Sequence, residues 1–270
     1  MLHIFTALYP EARPLIDFYN LKKDLSITDF QQFRGEEIKL SITGVGGLRS
    51  ASILSYVLAK EKTTCLLIGV CGAKNKKYGI GELFLINKAI QNETKKVFYP
   101  DILFDHKIKE NSIESFNRVV ENIAIDSEAE LIDMESAYFL EAGQIFLPPH
   151  KVFILKIISD YLEISHITKE FISSLIEKNI SEIDNIIKIL MGFPLEMQDT
   201  ILSEKEHYIL EKISTNLSLT LYMKNELFKS YKIAKMKEKI SIEKLIPFTA
   251  RISKSKAERK IIYEEIKKLL

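Results

Sequence analysis

Two stretches of this chain, Thr64 to Val70 and Val152 to Ile158, read as strands buried on both faces. A strand with one wet face alternates apolar and polar residues, whereas a nearly continuous apolar run needs cover above and below. Such strands belong to sheets packed between helices. These two runs therefore restrict the chain to α/β architectures more firmly than anything else in it. Strand and helix patterns alternate around them. Leu2 to Leu8 reads as a short strand, and a helix opens at Tyr9-Pro10-Glu11-Ala12, with Pro10 and Pro14 tolerable only near its first turn. Phe30 to Arg34 and Ile38 to Thr43 pair as a hairpin around Gly35-Glu36. Leu83 to Ala89 is a further strand.

Two glycine-rich stretches come after strands. Thr43-Gly44-Val45-Gly46-Gly47-Leu48-Arg49-Ser50-Ala51 reads as strand, turn and helix, a setting in which backbone N–H groups can approach a polar or anionic ligand. Gly69-Val70-Cys71-Gly72-Ala73 reads as a second turn, and Gly79-Ile80-Gly81-Glu82 leads into the strand after it. Residues 92–117 read as a loop carrying Phe98, Tyr99 and Phe104. Arg118-Val119-Val120 and Ala129 to Ile132 are short strand candidates. Carboxylates stand at the ends of strands: Glu11, the pair in Asp133-Met134-Glu135-Ser136-Ala137, and Asp160 after Ser159. In open α/β sheets, ligands sit at such positions. Asp133 and Glu135 can equally be acids favoured by the start of the helix Tyr138 to Phe146.

Thr168 to Leu190 has helical periodicity. Beyond Met191-Gly192-Phe193-Pro194 the pattern becomes wholly helical, with a capping box at Ser203-Glu204-Lys205-Glu206, a short helix from Ser241 and a last amphipathic helix from Lys256 to Leu270. The chain thus divides into residues 1–190 and a helical extension, 191–270.

The 270 residues are 46% apolar, enough for a sizeable core, and carry 38 Lys and Arg against 37 Asp and Glu. That balance disfavours nucleic acid as a bulk electrostatic partner. The basic run Arg251, Lys254, Lys256, Arg259 and Lys260 reads as a solvated face. Cys65 and Cys71 lie in apolar surroundings, as two buried thiols of a reducing cytoplasm do. His3, His106, His150, His166 and His207 are scattered without ligand spacing, so no metal and no cofactor is expected. No basic leader is seen and no apolar run approaches the roughly 20 residues needed to span a bilayer. A cytoplasmic chain without a membrane partner is the expectation.

Five segments taken together resemble the nucleoside phosphorylase superfamily, and within it the methylthioadenosine/S-adenosylhomocysteine nucleosidases. They are Ala7 to Glu11, Thr43 to Ala51, Gly69 to Ala73 with Gly79 to Glu82, Asp133 to Ala137, and Ile158-Ser159-Asp160, in the family's order. Ser165-His166 and the helix after it resemble the family's closing helix. The likeness covers about residues 1–190. It implies a three-layer α/β/α sandwich around a central mixed, partly barrel-like sheet, a small-molecule nucleoside as ligand, and a homo-oligomer.

It also implies roles. Glu11 would deprotonate the attacking water, Glu135 would hold the ribose hydroxyls, and Met134 would pack against the sugar. Asp160 would protonate N7 of a purine leaving group, supported by Ser159, and Val70 and Gly72 would line the site. An oxocarbenium-like transition state needs a carboxylate nearby. An anionic purine leaves poorly unless Asp160 holds a proton near neutrality, for which burial is a means. Asp133 is expected to be a structural acid turned away from the site.

Three departures bear on this reading. Val70 stands where the family usually has Ser or Thr, which weakens a phosphate site. Arg13 and Arg49 could hold phosphate but read as solvated. The segment before Asp133 is short, and Ala124 to Ala129 offers no aromatic to stack on a base, leaving Phe98, Tyr99 or Phe104 to substitute. Residues 191–270 have no counterpart in the simplest family members. Hydrolysis of a purine nucleoside is the leading reading. A phosphate-dependent phosphorylase and a non-catalytic nucleoside-binding module are the alternatives.

Overall fold

The computed structural model describes residues 1–121, 126–163, 167–192, 202–236, 240–253 and 255–270. Ser165-His166, and Ala124 and Ile125 within the short segment before Asp133, lie outside the described residues. The chain divides into two compact units, Met1–Leu195 and Glu196–Leu270.

In the first unit ten strands form one sheet: β1 (Leu2–Thr6), β2 (Lys22–Lys23), β3 (Gln32–Arg34), β4 (Ile38–Ile42), β5 (Thr64–Ala73), β6 (Leu83–Gln91), β7 (Val97–Phe98), β8 (Lys109–Ser115), β9 (Leu131–Asp133) and β10 (Val152–Asp160). Strands β5, β10, β6, β8 and β9 pair in a closed ring, because β5 bonds to both β10 and β9. Strand β1 pairs with Thr64–Leu67 of β5, ahead of the Gly72–Ala73 stretch that pairs with β9, and β4, β3 and β2 continue outward. The result is a mixed sheet closed into a barrel at one end and open at the other.

Alternate side chains along β5 enter two separate cores. Leu66 and Ile68 join a cluster with Leu15, Leu175, Ile176 and Ile183, while Cys65 and Leu67 join Leu54, Leu58, Phe139 and Leu140. The first cluster draws on α1 (Tyr9–Phe18), α4 (Lys169–Lys178) and α5 (Ile180–Gly192); the second draws on α2 (Gly47–Lys60) and α3 (Ser136–Phe146). Helices thus cover both faces, which is why the central strands are apolar throughout.

Local chemistry explains most departures from the sequence reading. Strand β5 does not turn at Gly69 but runs on to Ala73, since its glycines serve close approach rather than chain reversal. Strand β8 was hidden in a segment read as loop; its residues Lys-Glu-Asn-Ser-Ile-Glu-Ser lack the β-branched and aromatic signature, and only Ile113 faces a core. Arg118 to Val120 is not a strand; Val120 packs against Phe116, Ile132 and Leu162 instead. The periodic run 168–190 is two helices, parted at Asn179, whose side chain donates to Leu175 O and to Gly81 O. Pro14 lies inside α1, where its ring removes the N–H that would bond Pro10 O. Ser173 Oγ of α4 donates to that carbonyl at 2.8 Å and replaces the missing bond.

The second unit contains α6 (Glu204–Asn216), α7 (Leu221–Met236) and α8 (Lys256–Leu269), with short 3-10 turns at Ile242–Lys244 and Ile246–Ala250. Its own core gathers Leu210, Ile213, Leu227, Tyr231, Leu245 and Ile266. The expected capping box is present: Ser203 Oγ accepts from Glu206 N, and Glu206 accepts from Ser203 N. Glu206 also accepts from Tyr231 and Lys235, which hold its carboxyl at about 2, below the usual range, against the cost of burial. Among the described residues no helix is long and apolar enough to cross a membrane.

One buried group makes stability depend on pH. His3 stacks on Phe5 in β1, and its Nε2 lies 2.8 Å from Ser41 Oγ, which donates in turn to Gln32 Oε1. That chain places the ring hydrogen on Nε2 and leaves Nδ1 buried without a partner. Burial, with Lys39 nearby, lowers its pKa to about 3. The unfolded chain takes up a proton at this histidine below about pH 6.5 and the folded chain does not. Stability should therefore fall as pH drops from about 6.5 toward 3, by about 1.4 kcal/mol per pH unit from this group. Urea titrations at stepped pH should show that slope in the wild type and a shallower one in His3→Gln.

Candidate functional site

Four segments bring charged or titratable side chains to one buried place at the rim of the closed ring. The first is the start of α1. Glu11, 2% exposed, accepts from Leu8 N at 2.8 Å with one oxygen and from Val70 N at 2.9 Å with the other. Burial raises its pKa, while Lys156 and the backbone donors pull it down. Gly69 permits this seat: a Cβ there would lie 2.7 Å from Glu11 Oε1 and 3.3 Å from Lys156 Nζ. Val70 therefore meets Glu11 through its backbone, a contact that no side chain at that position decides.

The second segment is the junction of β9 and α3. Glu135 accepts from Gly46 N at 2.8 Å and has Lys156 Nζ at 3.7 Å from its other oxygen. Gly46 adopts φ +104°, a conformation that L side chains rarely take. The first glycine turn thus presents its N–H, at the N-terminus of α2, to the protein's own carboxylate. Burial pushes the Glu135 carboxyl up to about 7, against the pull of Lys156, with Asp133 and Glu11 adding to the rise. Met134, between the two acids, is half-buried.

Asp133 differs from the expectation of an acid turned away. It does cap α3, accepting from Ser136 N at 3.0 Å and Ser136 Oγ at 2.5 Å, and it accepts from Ser115 Oγ at 2.5 Å. The same carboxylate also takes Lys156 Nζ at 2.9 Å, so it faces the ammonium that Glu135 faces.

The third segment is β10, which supplies the residue that sequence reasoning missed. Lys156, 1% exposed, lies between Ile154 and Ile158 on an otherwise apolar face. Burial alone would lower its pKa; Asp133, Glu135 and Glu11 together raise it, so the ammonium is retained. A lysine in a strand buried on both faces was the available signal, because such a charge must have partners. At the end of β10, Asp160 accepts from Leu162 N at 2.8 Å with Oδ1, and its Oδ2 lies 2.6 Å from Ser159 Oγ. Ser159 Oγ is also 3.1 Å from Cys71 O. The fourth segment is β5, where burial, with Asp133 and Asp160 nearby, pushes the Cys71 thiol up against the pull of Lys156, so it stays neutral.

Beside Asp160 an apolar group closes over Gly72. Leu162, at φ +62°, places Cδ2 2.6 Å from where a Cβ of Gly72 would stand, and it packs with Phe116 and Ile132. Phe116 thus packs an aromatic ring against Leu162 at this end of the site. Of the aromatics expected to substitute, Phe104 packs edge-on against Phe153 with centroids 5.5 Å apart, Phe98 joins the α2–α3 core, and Tyr99 is exposed. Arg13 is exposed beside Asp17, and Arg49 folds over Gly44.

The architecture is a mixed sheet closed into a barrel with helices on both faces. Particular solved structures share it. A futalosine hydrolase mutant of Helicobacter pylori is 16% identical and superposes with a TM-score of 0.60 over 70% of this chain and 99% of its own. A methylthioadenosine/S-adenosylhomocysteine nucleosidase mutant of the same organism, with 5′-methylthioadenosine in its active site, is 16% identical with a TM-score of 0.60 over 70% and 98%. The apo methylthioadenosine nucleosidase of Arabidopsis thaliana is 16% identical with a TM-score of 0.61 over 72% and 97%. At these identities the likeness is one of fold. No protein-family model and no curated protein sequence matches the chain.

Because Gly69 has no room for a side chain between Glu11 and Lys156, Gly69→Ala should lower stability by about 1–3 kcal/mol. Thermal unfolding of the variant beside the wild type checks this.

Proposed function

We propose that residues 1–190 hydrolyse the N-glycosidic bond of a purine nucleoside, of the kind represented by methylthioadenosine and S-adenosylhomocysteine, and release the free base. The observation that carries this reading is the meeting of Glu11 and Glu135 on the buried Lys156 ammonium, beside the Ser159–Asp160 pair. The fold it shares with known nucleosidases supports it.

Each group has a distinct task. Glu135, held by Gly46 N, accepts hydrogen bonds from the ribose hydroxyls, with Met134 against the sugar. As the bond from C1′ to the base nitrogen lengthens, its electron pair moves onto the purine and positive charge builds on the sugar, where the nearby carboxylates stabilise it. Glu11 takes a proton from water as the water oxygen bonds to C1′. Asp160 gives a proton to N7, so the base leaves neutral. Ser159 Oγ, 2.6 Å from Asp160 Oδ2 and 3.1 Å from Cys71 O, holds the carboxyl group in place for that transfer. Val70 and Gly72 line the floor of the site.

Water suits this site better than phosphate. Three acidic side chains surround one ammonium, which lies 2.9 Å from Asp133 and 3.7 Å from Glu135, so an incoming anion meets net negative charge.

A nucleoside panel incubated with and without phosphate, with free base measured, tests the reading. Base release without phosphate is expected; strict dependence on phosphate would indicate a phosphorylase, and binding without release a binding module. Asp160→Asn should lower release of unactivated adenine by about 10²-fold or more, and Glu11→Gln by a similar factor. Near-normal turnover in either variant would remove that residue from the mechanism.

A further inference from the structure

The charges around Lys156 do not balance. Glu11 from α1, and Asp133 and Glu135 from the β9–α3 junction, face a single ammonium from β10, with Cys71 of β5 and Asp160 at the end of β10 as the remaining titratable neighbours. All of these groups are buried or nearly so. The compensation is also uneven. Asp133 collects Ser115 Oγ, Ser136 N, Ser136 Oγ and the ammonium at 2.9 Å. Glu11 collects two backbone N–H groups. Glu135 has one backbone N–H, and the ammonium stands off at 3.7 Å. Like charges held together in a buried site do not all remain ionised, and the proton goes to the least compensated group.

We infer that Lys156 is a positioning residue that decides where a proton shared by this cluster resides: drawn close to Asp133 and standing off from Glu135, it leaves Glu135 to take that proton as a neutral carboxylic acid in the free protein below neutrality. The raised Glu135 carboxyl agrees with this placement. The geometry does so independently, through the count of donors. The consequence rests on the nucleosidase reading. A ribose hydroxyl seated on Glu135 meets a hydrogen-bond donor below neutrality and a carboxylate above it. Ionisation of Glu135 sends its proton to solvent and readies the site for positive charge on the sugar.

The test needs no substrate, so its outcome is separate from that of the nucleoside panel. The full chain, labelled with carboxyl-¹³C glutamate, is titrated by NMR. One glutamate signal should titrate near pH 7, vanish in Glu135→Gln and persist in Glu11→Gln. In Lys156→Met its midpoint should rise by about one pH unit or more, and Lys156→Arg should restore it. Asp133→Asn should move it the other way, because it removes a neighbouring anion and frees the ammonium. This variant decides the matter if Lys156→Met does not fold. Ionisation of every buried glutamate well below neutrality would overturn the assignment. So would a neutral-range signal that survives in Glu135→Gln, or a midpoint indifferent to both Lys156 and Asp133.

Discussion

An ammonium cannot remain in a protein interior without anions beside it, and the arrangement around Lys156 obeys that constraint. Removing a lysine from water costs several kcal/mol, which is recovered only if carboxylates approach closely and are themselves hydrogen-bonded. Asp133 meets the requirement at 2.9 Å while its remaining lone pairs are taken by Ser115 and Ser136. The cap of α3 and the charge balance of the site are therefore the same set of bonds. Glu135 is offset from this arrangement and held by Gly46 instead, which leaves it the more adjustable of the two acids.

The glycines are explained by what must pass over them. Gly69 lies under Glu11 and Lys156, Gly72 under Leu162 and Asp160, and Gly46 offers an N–H from a backbone angle that other residues avoid. None of the three merely loosens the chain. The strand that carries Gly69 and Gly72 stays extended to Ala73, so it delivers Val70 N to Glu11 and Cys71 O to Ser159 from successive residues.

Much of this was legible in the sequence because burial writes itself into composition. The runs 64–70 and 152–158 show their cover, and Asp133-Met134-Glu135 and Ser159-Asp160 stand at strand ends, where the structure places them. Strand β8 was not legible, because it is held by pairing to β6 and β9 rather than by apolar side chains, so its polar residues resemble a loop. The break at Asn179 was also invisible to periodicity, since both helices turn their apolar residues to the same core. Lys156 could have been recognised as a charge in a fully buried strand. Its partners could not, because Glu11 and Glu135 reach it from distant parts of the chain.

The closed ring of β5, β10, β6, β8 and β9 has a consequence for assembly. Its closing contact joins Cys65 to Val152, and the groups around Lys156 come from α1, β5, the β9–α3 junction and β10. A fragment that lacks one of these lacks part of the charged cluster. Contacts this distant in sequence form late in folding, after the entropy of closing long loops has been met. A partly folded chain would thus present its carboxylates to water, each ionising independently. The meeting of these groups is a property of the completed barrel.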